Sequence, residues 1–163
     1  MDERALSRYL QSHLAGSDAG LAIASRLAAR HAGAELGAAM ERLAGEIRSE
    51  QGIVRAAIAR LPTRPEPVKR VLGMVAAAGR FAGSLPFVPE PSVIEDLEAL
   101  AVGVWGKRLL WGAMTRVAAS EGGFDDIDLG ELAASAEDQE REILRLRQDA
   151  LDGYLALPQV PAN

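Results

Sequence analysis

Cysteine is absent from the chain, which excludes disulfide frameworks, zinc–thiolate sites, iron–sulfur clusters and cysteine nucleophiles together. Histidine is scarce, with His13 and His31 the only two. A surplus of basic residues is also lacking: the net charge of −5 argues against nucleic acid as a partner, because phosphate binding rests on a basic face. Stretches without charge fall well short of the roughly 18–20 apolar residues that span a bilayer. The opening Met1-Asp2-Glu3-Arg4 shows no basic segment leading into an apolar one, so a cytoplasmic protein without a signal peptide is expected. Nucleotide and hydrolase motifs are missing too. Gly122-Gly123 is turn material with no Gly-x-Gly-x-x-Gly or Walker pattern around it, and no Gly-x-Ser-x-Gly elbow occurs. The acidic group Asp125, Asp126 and Asp128 lacks the glycine and the terminal Glu of a calcium loop; helix capping explains it.

What remains is a chain of 163 residues, 48% hydrophobic and 25% charged, the size and composition of one globular domain covering 1–163. Proline punctuates it. Six of the eight prolines lie between 62 and 91, and on either side the apolar residues recur at three-then-four spacing, the period of a helical face. Leu6, Leu10, His13, Ser17, Gly20, Ala24, Leu27 and His31 share one face of a first helix, with Gly33 as its stop. Leu36, Met40, Leu43, Ile47, Glu50, Val54, Ala57 and Leu61 share one face of a second, ended by Pro62. Two capping boxes, Ser92-Val-Ile-Glu95 and Asp128-Leu-Gly-Glu131, open a third helix to about Ser120 and a fourth to about Leu155. The third is apolar around nearly its whole circumference and is expected to be the most buried, with Trp105 and Trp111 both packed in the core. The fourth carries a charged outer face on which Glu137 and Arg141 are spaced to pair. His31 is expected to face solvent at a helix C-terminus.

The organisation is therefore all-α: a hairpin over 4–61, a crossover over 62–91 holding a short helix that begins near Pro67, a second hairpin over 92–157, and a tail over 158–163. Two antiparallel hairpins of long helices joined by a crossover of bundle length resemble the ferritin-like four-helix bundle. The phrases Tyr9-Leu-Gln-Ser-His13-Leu-Ala-Gly16, Leu97-Glu-Ala-Leu100 and Gly103-Val-Trp-Gly-Lys107 through Trp111 are similar to an uncharacterised bacterial branch of those proteins. The resemblance implies a di-iron or di-manganese centre built from one Glu on each of two helices and a Glu-x-x-His on each of the others. This sequence departs from that set. No Glu-x-x-His occurs: Glu46 is followed three residues later by Ser49 and Glu137 by Glu140, and both histidines lie on the first helix. No cofactor is expected, and the reading leans away from an enzyme.

Four polar residues interrupt the inner faces instead: His13, Glu50, Lys107 and Gln139. At about 1.5 Å of rise per residue, they fall within roughly one turn of each other in a bundle of that topology. The favoured reading is a structural layer in which the Lys107 ammonium compensates Glu50, in place of a metal. A small-molecule or anion pocket around Lys107 and His13 is the second reading, and metal binding through His13, Glu50 and Glu98 the third. For function, the first expectation is a non-catalytic binding or interaction protein that self-associates, most simply as a dimer, on the motive of Ile58, Leu144 and Leu151 outside the inner stripes. An atypical metal-dependent oxidoreductase is the first alternative. The second is a peripheral protein that docks on a membrane surface or a partner through 68–88, where apolar and basic residues alternate; cover for the third helix is the simpler role of that segment.

Overall fold

A computed structural model of the chain describes residues 2–61 and 92–155. All regular structure among them is helical: α1 (Glu3–Arg30), α2 (Glu35–Arg60), α3 (Val93–Glu121) and α4 (Leu129–Leu155). At ~1.5 Å per residue each runs about 40 Å. The expected short helix after Pro67, the crossover, the 68–88 docking segment and the tail lie outside the described residues.

Side-chain oxygens set where the helices begin. Asp2 Oδ1 accepts from the backbone N–H of Arg4 and Ala5 at 3.0 and 3.1 Å, a cap the sequence reading passed over. Ser92 and Glu95 form the full reciprocal box, at 3.2 Å in one direction and 2.7 Å in the other, and Asp128 Oδ1 accepts from Glu131 N–H at 2.8 Å. Such contacts satisfy donors that the first helical turn leaves unpaired. The α1–α2 turn needs Gly33 at a φ of +85°. It also needs Gly37, where a Cβ would come within 2.1 Å of the His31 carbonyl oxygen, so no side chain fits between the end of α1 and the start of α2.

Ion pairs report the helix directions. Arg26 near the end of α1 meets Asp96 at the start of α3 at 2.6 Å; Arg145 of α4 meets Glu35 of α2, and Arg42 of α2 meets Glu142 of α4, at 2.6 and 2.7 Å. Arg147 and Glu98 tie the end of α4 to the start of α3 at 2.6 Å. Each of these neighbouring pairs is antiparallel, as are the two hairpins. Arg60 at the end of α2 bonds Asp126 and the Gly123 carbonyl in the α3–α4 turn at 2.6 and 3.1 Å. The end of α2 and the start of α3 thus lie at opposite ends of the bundle.

The core runs the length of the four helices through Leu10, Leu27, Met40, Leu97, Trp111, Met114 and Ile143, all at most 2% exposed. Two expectations about α3 need correction. Trp111 is buried but Trp105 is 54% exposed, with Val102 and Leu109 exposed beside it. The six-residue separation turns the two indoles to different faces, and only one of those faces meets the bundle. On α4 the expected Glu137–Arg141 pair does not form: Arg141 pairs one position nearer, with Asp138, and Glu137 reaches across to Arg108 of α3 at 3.1 Å. His31 differs as well: it is the α1 cap and half-buried, with its Nε2 buried and without a hydrogen-bond partner among the described residues.

Candidate functional site: a lysine-centred polar layer

Three of the four polar residues singled out in the sequence meet halfway along the bundle. Lys107 interrupts the Leu100–Val104–Trp111 row of α3, Glu50 the Ile47–Val54 row of α2, and Gln139 the Ala136–Ile143 row of α4, each at core spacing. Lys107 Nζ donates to Glu50 Oε2 and Oε1 at 2.7 and 2.9 Å and to Gln139 Oε1. The side chains of Lys107 and Glu50 are 13% and 9% exposed. An ammonium has three N–H donors, and three oxygens receive them. Gln139 is fixed by its neighbours: its oxygen faces the ammonium, and its Nε2 donates to Glu46 at 2.8 Å and to Glu50 and Ser135 at 3.2 and 3.3 Å. Charge and hydrogen bonding are both satisfied, which is the condition under which a buried polar cluster specifies a packing rather than weakening it.

The remaining candidates lie elsewhere. His13 makes no hydrogen bond to the layer; its ring stands edge-on to Tyr9, centroids 4.6 Å apart at 72°, and burial holds the imidazole below its ordinary pKa, favouring the neutral form. Glu98 points outward to Arg147. The donor set does not fit a di-metal centre. Of the three candidate ligands, only Glu50 joins the layer and the ammonium contacts both its oxygens; Glu98 pairs with Arg147, His13 makes no hydrogen bond to the layer, and Glu46 reaches it only as an acceptor from Gln139 Nε2. Among the described residues no group of three or more His, Cys, Asp or Glu side chains is placed to hold a metal ion. An anion finds no ammonium N–H to accept from. The two surface grooves described, about 300 Å³ beside Arg60 and Asp126 and about 440 Å³ beside Gly33 and Gly37, do not reach the layer.

Sequence reading missed three buried polar residues, Ser7, Gln51 and Asp96; Ser7 Oγ accepts from Gln11 Nε2 at 3.0 Å. Gln51 donates to Ser17 and Asp18 of α1 at 2.9 and 2.8 Å and accepts from Arg55 at 3.2 Å. Asp96, with no exposure at all, takes Arg26 on Oδ1 while its Oδ2 has no partner among the described residues. A signal existed for Asp96: it precedes Leu100 by one turn on the same α3 row, although its place in the first turn reads as ordinary capping. Burial, opposed by Arg26, raises the Asp96 carboxyl above its ordinary pKa. The folded state then holds this proton more tightly than the unfolded chain does. The associated stability is complete below the ordinary carboxylate range and is lost as pH rises through the raised value. Asp96→Asn removes that dependence, so the stability of the parent relative to the variant is expected to grow as pH falls from neutral into the ordinary carboxylate range, about 4. Urea unfolding of both proteins across that range checks it, and parallel pH profiles would count against it.

No family model, curated protein or solved structure matches this chain. Among the described residues, no helix is long and apolar enough to cross a membrane.

Proposed function

We propose that this chain is a helical bundle of ferritin-like topology acting as a non-catalytic, self-associating binding or interaction protein, with Lys107, Glu50 and Gln139 standing where that architecture carries its metals. Support for the topology comes from antiparallel neighbours and from an α2 end and α3 start at opposite ends of the bundle. The observation that carries the reading is the Lys107 ammonium within 2.9 Å of both Glu50 oxygens. It supplies the positive charge that a carboxylate in the core requires, without an open coordination position and without a redox couple. A transition metal at the same point would have to displace an ammonium and tolerate its repulsion. Elemental analysis of freshly purified protein tests the reading: iron and manganese well below one per chain are expected, and a stoichiometric content of either would overturn it in favour of a metal-dependent oxidoreductase.

A further inference from the structure

The outer face of α3 carries a second stripe that the bundle does not use. Glu98, Val102, Trp105, Leu109, Gly112 and Arg116 follow one another at alternating four- and three-residue steps, so they line one side of the helix, and all six are exposed. Val102, Trp105 and Leu109 are 69%, 54% and 50% exposed. The pairs Glu98–Arg147 and Arg108–Glu140 bring Leu144 of α4, 48% exposed, level with Val102, which widens the apolar area.

The stripe is complementary to itself. Trp105 and Leu109 lie two residues either side of Lys107, Val102 and Gly112 five, Glu98 and Arg116 nine. An antiparallel copy centred at that level sets indole against leucine, valine against glycine, and carboxylate against guanidinium, each twice, as a two-fold axis requires. Two features of the single chain gain a reason. Arg116 makes no ion pair among the described residues, and Glu98 gives only Oε1 to Arg147, leaving Oε2 for a second cation. Gly112 disfavours the helix relative to alanine, yet a Cβ there would meet nothing within 4 Å among the described residues, so their packing does not demand it; a valine approaching from outside does.

We infer that a second copy of this chain docks on the outer face of α3, the two α3 helices antiparallel about a two-fold axis level with Lys107. The inference rests on the self-association in the proposed function and names its interface. One helix pair with a flanking leucine buries less than the roughly 1,600 Å² of a standard complex, which fits a weak, reversible dimer.

Cysteine pairs test the register in the full chain, which has no cysteine of its own. Positions 102 and 112 are about 15 Å apart along one helix, beyond the ~7 Å limit for a disulfide, so V102C/G112C can bridge only between copies. Oxidation is expected to give a covalent dimer from V102C/G112C and none from V102C alone. By sedimentation equilibrium, Glu98→Arg and Arg116→Glu are each expected to weaken the dimer about tenfold, and E98R/R116E to restore it to within about threefold. A dimer indifferent to these reversals, or V102C bridging as readily as the pair, overturns the interface while leaving self-association intact. A monomer at about 200 µM, well above the Kd of a weak transient complex, removes both. Monomeric protein with Trp105 shielded from acrylamide assigns the face to residues 62–91 of the same chain and likewise overturns the inference.

Discussion

Lys107→Met is expected to lower the unfolding free energy by about 3–5 kcal/mol, the cost of leaving a buried carboxylate without its counter-ion. Methionine matches the length of the lysine stem and fills the same space between α2, α3 and α4, so packing changes little. What changes is electrostatic. Glu50 loses the ammonium that contacts both its oxygens, and Gln139 loses the donor that orients its amide. The Gln139 Nε2 bond to Glu50, at 3.2 Å, is too weak to compensate a full charge in a low dielectric. The companion variant separates charge from shape: Lys107→Met with Glu50→Gln removes both charges and is expected to return to within about 1 kcal/mol of the parent, as apolar or neutral replacements of buried ion pairs commonly do. Denaturant unfolding of the three proteins, at concentrations low enough to keep them monomeric, decides the matter. A loss below about 1 kcal/mol in the single variant would mean that water reaches the layer and that the ion pair behaves as a surface contact.

The long helices were legible because each carries a sustained three-four period and two open on a capping box in the sequence, and these signals depend on nothing far away in the chain. Lys107, Glu50 and Gln139 were legible for the same reason, each replacing an apolar residue on an otherwise regular inner row. His13 obeys the same spacing and does not join them. Spacing fixes the direction of a Cβ, whereas the ring's place depends on the Tyr9 side chain one turn away. Gln51 was hidden because it follows Glu50 directly and belongs to the face that meets α1, and a helix flanked by two neighbours has two such faces. The pairing of Arg108 with Glu137 and Glu140 was equally out of reach, since it depends on the offset between α3 and α4 rather than on either sequence. Misreading α3 has a physical cause as well: a helix apolar all round states that every face wants cover, but not which cover it receives.

That ambiguity yields the second large effect, a contrast between the two tryptophans of α3. Trp111→Ala is expected to cost about 3–5 kcal/mol, the range for emptying a fully buried large aromatic, since Trp111 is 2% exposed in the middle of the core. Its Nε1 is buried with no hydrogen-bond partner among the described residues, which already costs the fold part of an unmade bond. Trp111→Phe discards that donor together with some apolar area, and the two terms offset each other to leave a loss of about 1 kcal/mol. Trp105→Ala, measured on the monomer, is expected to fall within about 0.5 kcal/mol of the parent, as for other exposed positions. Midpoints of urea denaturation for the three variants at high dilution report the contrast directly. A Trp105→Ala loss comparable to that of Trp111→Ala would show that the outer face of α3 is packed within a single chain, which leaves a second copy nowhere to dock; a loss that appears only at concentrations where the dimer forms places the indole at the contact between two α3 helices.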